Sequence, residues 1–262
     1  GPAAARFHGD PTAELEVVGI TGTNGKTTTA FLIRHLLEAD GRQTGLLGTV
    51  KRVVGGREEE VERTTPEAID LQATFRAMVD GGDRACAMEV SSHALDLGRV
   101  AGIRFAARVF TNLTQDHLDF HETMEAYFTA KRRLFEGPGL AVVNVDDEYG
   151  RRLADEIDCV TYAIDRDADY RALDVDFDLM GARFRWGEVE LSSPLPGLFN
   201  VQNVLAAVAT VHSLGVAPET IAAALPEFGR VPGRFEPVDE GQEFGVLVDY
   251  AHTPDALENV LI

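Results

Sequence analysis

The segment from residue 17 to residue 37 places the strongest constraint on the fold of this chain. An apolar run leads into a turn with Gly22 and Gly25, then into Lys26 and Thr27, and then into a helix-like pattern. A strand, a glycine loop, a Lys-Thr pair and a helix in this order are typical of a phosphate-binding loop. The loop N–H groups and the helix N-terminus attract phosphate oxygens. Lys26 can reach the terminal phosphates, and the Thr27 hydroxyl can ligate Mg²⁺.

The spacing of this loop departs from the common form of the motif. That form has a glycine five residues before Gly25, where this chain has Ile20, so the loop is a shorter variant. A tight turn before a helix would explain the glycines, but it would leave Lys26 and Thr27 unexplained. We therefore predict a site for nucleotide phosphates. Its residues are Gly22, Thr23, Asn24, Gly25, Lys26, Thr27 and Thr28.

Strand-like and helix-like patterns alternate along most of the chain. Apolar strand-like runs cover residues 15–20, 85–90, 108–111, 141–145, 160–164 and 246–250. Helical patterns cover residues 27–39, 68–80, 123–135, 149–157, 201–214 and 218–225. This alternation predicts an α/β fold of the P-loop type, with a mostly parallel sheet and helices on both faces. Gly215 fits the end of one helix, and Pro218 fits the start of the next.

Two segments predict short antiparallel strands in addition to the parallel sheet. Residues 49–54 and 57–62 flank the pair Gly55-Gly56, which is typical of a hairpin turn. Residues 177–191 contain glycines at two turn positions between strand-like runs. No internal repeat or low-complexity tract interrupts the chain.

The composition excludes several classes of function. With 24 Lys and Arg against 43 Asp and Glu, the 262-residue chain has a formal net charge of −19. Such acidity argues against nonspecific binding to nucleic acid or anionic membrane, and a solvated acidic surface explains it. No apolar run approaches the ~20 residues of a membrane span, so we expect no membrane insertion. The two cysteines, Cys86 and Cys159, have no metal-ligand spacing and form no disulfide framework, which favours a reducing cytoplasmic location.

Glu89 stands at the end of a predicted strand. In parallel α/β sheets, ligands bind beyond the carboxyl ends of the strands. We therefore predict that Glu89 holds Mg²⁺, directly or through water, opposite Thr27. The alternative is a surface glutamate that merely ends a strand. His93, a few residues later, fits a structural hydrogen bond as well as it fits a functional role.

A second polar stretch, residues 111–121, follows another strand-like run. It has two His and two Asp within six residues, which suggests a metal or phosphate site. The spacing matches no zinc motif, and no cysteine assists. Mg²⁺ prefers oxygen ligands, so an imidazole would be a minority partner. The alternative is that Asp119 or Thr123 simply caps the following helix.

Eight motifs occur in one order along the chain and carry a resemblance to a known family. They are residues 22–28, 64–67, 89–95, 112–121, 130–135, 198–203, 232–236 and 248–255. Together they resemble the Mur ligases, and most closely the MurE type. The resemblance covers nearly the whole chain. It implies three domains: an N-terminal domain for the UDP end of the substrate, a central ATPase domain and a C-terminal domain.

The resemblance also implies where this chain lies within such an enzyme. Residues 1–237 would form the central ATP-binding domain, and residues 238–262 would begin the C-terminal domain, while the N-terminal UDP-binding domain is absent. Thr253 would cap a helix that begins at Pro254. Because the chain lacks an initiator Met and stops within that helix, we expect a truncated piece of a longer protein.

Roles for individual residues follow from the same resemblance. Lys26 and Thr27 would bind the ATP phosphates and Mg²⁺, Glu89 would bind the first Mg²⁺ and His117 a second one. Lys131 resembles a lysine that the family carbamylates, and the carbamate anion would help to hold the second Mg²⁺. The catalytic residues would thus be Lys26, Glu89, His117 and Lys131. Without the resemblance, the pattern around Lys131 favours a solvent-facing lysine on a helix.

Further contacts to the nucleotide and to the second substrate are implied in the same way. Asn200 and Asn203 would approach the adenine, while Arg234 and Asp249 would approach the ribose and phosphates. The alternative for residues 199–207 is an ordinary helix N-terminus. The contacts to the UDP-muramoyl-peptide would come from Thr64, Thr65, Ser91 and Arg99.

The implied reaction is ATP-dependent amide formation in peptidoglycan synthesis. ATP would phosphorylate the terminal carboxylate of UDP-N-acetylmuramoyl-dipeptide, and the amine of a free amino acid, diaminopimelate or lysine, would attack the acyl phosphate. Positioning and electrostatics would dominate such chemistry. A ligase like folylpolyglutamate or cyanophycin synthetase is the related alternative. The alternative for the 262-residue chain by itself is a nucleotide-binding module without turnover. We expect this chain to bind Mg-ATP weakly and not to form the amide bond.

Overall fold

The structure is a computed structural model that describes residues 1–61, 63–238, 240–242 and 244–261. The helices are α1 (Pro2–Phe7), α2 (Lys26–Ala39), α3 (Ala68–Asp80), α4 (Ser92–Asp96), α5 (Leu118–His121), α6 (Met124–Arg132), α7 (Glu148–Ala154), α8 (Leu198–Ser213), α9 (Pro218–Ala224) and α10 (Pro254–Leu261). The strands are β1 (Glu16–Thr21), β2 (Thr44–Leu47), β3 (Arg52–Val54), β4 (Arg57–Glu59), β5 (Ala85–Glu89), β6 (Phe105–Phe110), β7 (Leu140–Asn144), β8 (Val160–Ala163), β9 (Tyr170–Arg171), β10 (Leu173–Asp178), β11 (Gly181–Trp186), β12 (Val189–Ser193), β13 (Glu236–Val238) and β14 (Val246–Val248).

Within these described residues, nine strands form one sheet in the order β4-β3-β2-β5-β1-β6-β7-β8-β9. In this spatial order, all neighbouring strands from β2 across to β9 pair in parallel. Strands β3 and β4 add an antiparallel edge next to β2. The predicted α/β fold with a mostly parallel sheet is therefore confirmed. The sequence patterns did not predict β2, because its four residues begin with Thr44 and Gly45 and contain too short an apolar run to stand out.

Strand β1 lies in the middle of the parallel part, between β5 and β6. Ile20 of β1 pairs with Glu89 of β5 on one side and with Val109 of β6 on the other. The carboxyl ends of these three strands therefore lie side by side. This arrangement brings the glycine loop, Glu89 and the polar stretch after β6 to the same edge of the sheet, where ligands bind in open α/β folds.

Side chains of β1 alternate between two apolar cores. Val18 and Ile20 pack with residues of α2 and α8 on one face of the sheet, and Val17 packs with residues of α3 and α6 on the other. Successive residues of a strand point to opposite faces. Because both faces are covered, the central strands are near-continuous apolar runs rather than alternating ones.

Both predictions of antiparallel strands are confirmed. Strands β3 and β4 form a hairpin across Gly55 and Gly56, whose φ angles of 55° and 76° fit a type I′ turn. The predicted run extended to Glu62, which lies outside the described residues. Strands β10, β11 and β12 form an antiparallel sheet, with Gly187 at a φ of 57° in the turn between β11 and β12.

The helices largely match their predicted bounds. Helix α3 has the predicted bounds, and α9 begins at Pro218 as expected. Gly215, with a φ of 93°, follows the end of α8 as predicted. The predicted helix over residues 123–135 divides into α6 and the 3₁₀ turn Arg133–Phe135.

The C-terminal part forms a separate two-stranded sheet of β13 and β14, followed by α10. The Thr253 hydroxyl accepts a hydrogen bond from the Ala256 N–H at 3.2 Å, and Pro254 begins α10, as predicted. The expected domain boundary after residue 237 falls within β13 and stays a prediction. Three residues of the expected second domain lie outside the described residues: Asp239, Glu243 and Ile262.

In the part of the chain that the structure describes, no helix is both long enough and apolar enough to cross a membrane.

Candidate active site

The glycine loop connects β1 to α2 at the carboxyl edge of the sheet. Gly22 has a φ of 155°, and a Cβ at this position would collide with the Thr111 hydroxyl. Gly25 has a φ of 84°, and a Cβ there would collide with the Asn203 side chain. Only glycine fits both positions without strain. The two glycines thus let other side chains approach the loop backbone closely.

The segment after β6 holds this loop through several hydrogen bonds. The N–H of Thr23 donates to the Asn112 carbonyl at 2.9 Å, and the Thr114 N–H donates to the Thr23 hydroxyl at 3.0 Å. The Asn24 N–H donates to the Asn112 side chain at 2.8 Å, and the Thr111 hydroxyl donates to the Asn24 carbonyl at 2.6 Å. We call residues 111–114 the loop clamp. Sequence reasoning assigned these residues no such role, although their position after a strand parallels that of Glu89.

Lys26 folds back over the loop that precedes it. Its Nζ donates to the carbonyls of Gly22 and Thr23, each at 2.9 Å. Burial lowers the pKa of Lys26, and the nearby carboxylate of Glu89 partly offsets this effect. Thr27 is buried at the start of α2, and its hydroxyl accepts a hydrogen bond from Arg234 at 3.1 Å.

Lys131 reaches the same loop from helix α6. Its side chain is only 1% exposed, and its Nζ donates to the Gly22 carbonyl at 2.8 Å and lies 4.6 Å from the centre of the Tyr127 ring. The alternative of a solvent-facing lysine is therefore wrong. Burial, and then the charge of Lys26, hold the pKa of Lys131 well below its ordinary value. Burial favours the neutral amine over the ammonium, and the neutral amine is the nucleophilic form of lysine.

Glu89 lies at the end of β5, and its side chain is only 1% exposed. Thr49 binds both carboxylate oxygens: its N–H donates to Oε1 at 2.7 Å and its hydroxyl donates to Oε2 at 3.2 Å. A Cβ on Gly48 would lie 2.5 Å from Oε1, so this glycine leaves room for the carboxylate. The alternative of a surface glutamate that merely ends a strand is therefore wrong, because the Glu89 carboxylate is enclosed and hydrogen-bonded.

His117 stands just before α5 with a φ of 52°, and its N–H donates to the Asp116 side chain at 2.8 Å. Burial lowers the pKa of His117, while Asp116 raises it in part. The ring lies 4.9 Å from that of His93 and 6.0 Å from that of Tyr127. His121 donates to or accepts from the Ser92 hydroxyl at 2.8 Å. The histidines therefore form a cluster beside Lys131, and His93 belongs to it.

The other side of the cleft comes from α8 and from the C-terminal part. The Asn203 amide donates to the Asn200 side chain at 3.0 Å, and both residues are buried beside the loop at Gly25. The Asp249 carboxylate accepts from the N–H groups of Phe235 and Ala251 at 2.6 and 2.7 Å. These local bonds fix the Asn203 and Asp249 side chains, both of which line the same cleft as the glycine loop.

Two of the residues predicted to contact the second substrate, Thr65 and Arg99, bind other groups of the protein. The Thr65 hydroxyl donates to the Glu89 carbonyl at 3.0 Å and accepts from the Ser91 N–H at 3.2 Å. Arg99 forms an ion pair with Glu67 at 2.8 Å. Arg99 also donates to the Thr65 carbonyl at 3.3 Å, so both residues support the segment that carries Thr64, and their predicted contact to the substrate stays a prediction.

Most of the predicted site residues line one cleft of about 360 Å³. Every predicted site residue lines it except Gly22, Thr65 and Arg99. Thr111, Asn112 and Asp116 also line it, from the polar stretch predicted as a metal or phosphate site, as do Thr49 and Tyr127, which sequence reasoning did not assign.

The donor set of the cleft suits one kind of metal better than others. Among the described residues, no group of three or more His, Cys, Asp or Glu is placed to hold a metal ion. The cleft instead offers single donors from separate elements, such as the Thr27 hydroxyl and the Glu89 carboxylate. Mg²⁺ is commonly held by one or two carboxylates together with water and substrate phosphates. The residues present fit Mg²⁺ in this way.

The fold and the loop define an α/β domain of the phosphate-binding class. The family described as the Mur ligase middle domain matches residues 20–211. The chain therefore belongs to the Mur ligase family, as the sequence motifs predicted.

Known relatives agree with this assignment. The chain is 49% identical over 99% of its length to a protein of Solibacter usitatus named UDP-N-acetylmuramoyl-L-alanyl-D-glutamate--2,6-diaminopimelate ligase, of which it covers 55%. A protein of the same name from Streptomyces coelicolor is also 49% identical, over 100% of this chain and 54% of that protein. A solved structure of a ligase of that name has a TM-score of 0.81 and 33% identity, and covers 94% of this chain and 53% of that chain. The chain thus spans about half the length of the relatives it matches.

Proposed function

We propose that this chain is the ATP-binding centre of an amide-forming ligase that extends UDP-N-acetylmuramoyl-dipeptide by one amino acid. The observation that carries the proposal is the placement of Lys131, buried and bonded to the Gly22 carbonyl of the glycine loop. A second lysine buried beside the phosphate loop is unexplained by nucleotide binding alone. It is explained if the site must handle a phosphate and a carboxylate together.

In this proposal, Lys26 and the N–H groups of the loop bind the ATP phosphates, and Thr27, Glu89, His117 and carbamylated Lys131 would hold Mg²⁺. Bound Mg²⁺ would neutralise the charge that develops between the γ-phosphate and the substrate carboxylate. The loop clamp fixes the loop, so the γ-phosphate is delivered along one direction. Attack of the carboxylate on the γ-phosphate would break its bond to ADP and give an acyl phosphate, and the amine of the incoming amino acid would then displace phosphate and lose a proton.

The remaining contacts divide between the two substrates. Asn200 and Asn203 would approach the adenine, and Arg234 and Asp249 would approach the ribose and phosphates. Their positions around the glycine loop support these roles. Thr64 and Ser91 would contact the UDP-muramoyl-peptide, while Thr65 and Arg99 would hold that segment in place.

The names of the relatives support a choice of amino acid, and their length is compatible with further domains. Because they are named for 2,6-diaminopimelate, we propose diaminopimelate as the added amino acid. We propose residues 1–237 as the central domain and residues 238–262 as the start of the next. Anchoring of the UDP end and selection of the amino acid would then depend on parts of the relatives that this chain does not cover. The ligases related to folylpolyglutamate synthetase are less favoured, because the relatives reported above carry the muramoyl-peptide ligase name.

Two measurements on the chain test the proposal. Isothermal titration with Mg-ATP should show weak binding that Lys26→Met removes, and an unchanged isotherm for that variant would contradict the phosphate role. Under ¹³C-labelled CO₂, the chain should give a carbamate signal in ¹³C NMR. The sequence has only three lysines, so the assignment is simple. Lys131→Met should abolish the signal and Lys51→Met should retain it; the opposite pattern would exclude Lys131 as the carbamate.

A further inference from the structure

A chain of three side-chain oxygens links the metal side of the cleft to the side predicted to bind the muramoyl-peptide. The Thr49 hydroxyl lies 3.2 Å from Glu89 Oε2 and 3.0 Å from the Thr64 hydroxyl. All three residues line the cleft. Sequence reasoning gave Thr49 no role, because it follows β2, the strand that the patterns did not predict.

Chemistry fixes the direction of the hydrogen bonds that link Glu89, Thr49 and Thr64. A carboxylate has no proton to donate, so it can only accept. The single hydroxyl proton of Thr49 must therefore point to Glu89. Since Thr49 has no second proton, the bond between Thr49 and Thr64 requires the Thr64 hydroxyl to donate.

We propose that Thr49 is a positioning residue that orients Glu89 and that also sets the polarity of Thr64 toward the substrate. Because the Thr64 proton points to Thr49, only lone pairs of Thr64 face the cleft. Thr64 then accepts a hydrogen bond from an N–H or O–H group of the ligand, and disfavours a carboxylate or phosphate oxygen. This inference rests on the proposed function for the identity of the ligand, but the hydrogen-bond directions do not depend on it.

Ser91, on the same side of the cleft, has the opposite polarity. Its hydroxyl oxygen accepts from the Ala94 N–H at 3.2 Å, which leaves its proton available to the cleft. Thr65 takes no part, because its hydroxyl is used in both directions by Glu89 and Ser91 backbone groups. The subsite therefore offers an acceptor at Thr64 and a donor at Ser91. A peptide amide, with one N–H and one C=O, is the chemical group that matches both.

Gly48, just before Thr49, also leaves room for the Glu89 carboxylate. Gly48 leaves no Cβ near Glu89 Oε1, and the Thr49 N–H binds that same oxygen at 2.7 Å. Backbone and side chain of residues 48–49 thus hold both oxygens of Glu89 in one orientation. Groups that orient a metal ligand in this way typically change metal affinity by 10- to 100-fold when removed.

Neutron diffraction from crystals of the perdeuterated chain tests the polarity directly. We expect the Thr49 deuteron between Thr49 Oγ1 and Glu89 Oε2, and the Thr64 deuteron between the two threonine oxygens. A Thr49 deuteron directed at Thr64, or a Thr64 deuteron directed into the cleft, would overturn the inference. This measurement needs no bound nucleotide and no activity, so its result is independent of the proposed function.

Binding of Mn²⁺, followed by electron paramagnetic resonance with a non-hydrolysable ATP analogue, tests the positioning role. We expect Thr49→Val to weaken Mn²⁺ binding about tenfold, because the isosteric side chain keeps the shape and removes one bond to Glu89. Thr49→Ser, which keeps the hydroxyl, should stay within about twofold of the parent chain. Equal Mn²⁺ affinity in Thr49→Val and the parent, at equal thermal midpoints, would overturn the positioning role. Absence of Mn²⁺ and nucleotide binding in the parent would instead contradict the proposed function, and the neutron result would then decide the inference.

Discussion

The two sides of the cleft are built in different ways. On the sheet side, Glu89 and Lys131 are each only 1% exposed, and the loop clamp fixes the glycine loop. On the C-terminal side, Val248 is 47% and Tyr250 is 58% exposed, and Arg234 contacts Thr27 through one hydrogen bond. Glu89 and Lys131 are therefore held by burial, whereas Arg234 and Asp249 on the C-terminal side are held by a few local bonds.

Hydrogen exchange should show the largest contrast between the two sides. Amides of β1 lie at the centre of a nine-stranded sheet, whereas β14 belongs to a two-stranded sheet, which is marginally stable by itself. We expect the β1 amides to be protected by about 4 kcal/mol more than the β14 amides, a rate ratio of roughly a thousand. Exchange followed by mass spectrometry measures this ratio. Equal protection would show that the C-terminal side is part of the same cooperative unit.

Gly22→Ala should cause the next largest effect, because the added Cβ collides with the Thr111 hydroxyl that belongs to the loop clamp. We expect a loss of about 3 kcal/mol in the free energy of unfolding, from overpacking and backbone strain together. The matched control is Gly56→Ala, which has a positive φ but no atom within 4 Å of the new Cβ, and should lose about 1 kcal/mol. Urea unfolding followed by tryptophan fluorescence gives both values; equal losses would show that the clamp leaves room at Gly22.

Lys131→Met should change how stability depends on pH. Because the pKa of Lys131 is well below its ordinary value in the folded state, unfolding takes up a proton between that pKa and the unfolded value. Stability should therefore rise with pH across this window, by up to about 1.4 kcal/mol per pH unit for one proton. The variant should lose this part of the slope and gain about 1 kcal/mol at neutral pH.

Urea unfolding in CO₂-free buffer, at several pH values between neutral and about 10, measures the slope. Lys51→Met is the matched control, since Lys51 lies at the surface in an ion pair with Glu58. It should keep the slope of the parent chain. A Lys131→Met chain with an unchanged slope would show that Lys131 is not the source of the pH dependence.

Arg234→Gln should have the smallest effect on stability and should act on binding instead. The side chain contributes one bond to Thr27 and lies 4.9 Å from the Tyr250 ring. We expect a change below about 0.5 kcal/mol in the free energy of unfolding, and about tenfold weaker nucleotide binding by titration calorimetry. A large loss of stability would place Arg234 with the sheet side of the cleft.

Most of the fold could be predicted because apolar runs and helical patterns follow one another along most of the sequence. The runs that became β1, β5, β6, β7 and β8 are apolar, and helical patterns separate all of them except β5 and β6. The order of the strands could not be predicted, because pairing depends on contacts between distant segments. Strand β9, with two residues, is too short to show any period.

The candidate site could be predicted where a residue type is tied to a motif, as for Lys26 and Glu89. The environment of Lys131 could not be read from its neighbours, because Lys131, Arg132 and Arg133 together look like a polar helix face. The structure buries the first and exposes the next two. Thr49 was missed for another reason: its role comes from the pairing of β2 with β5, which brings the ends of two distant segments together.

A side chain added at position 22 would collide with the Thr111 hydroxyl, and this limits how the site can change by mutation. Neither position is free to vary alone, since a side chain at 22 needs the space that the hydroxyl at 111 occupies. A selected library in which both codons are randomised should therefore return paired solutions, with a larger residue at 22 only where residue 111 has shrunk. Selection would act on the two positions as a single heritable unit, although they lie 89 positions apart in the sequence.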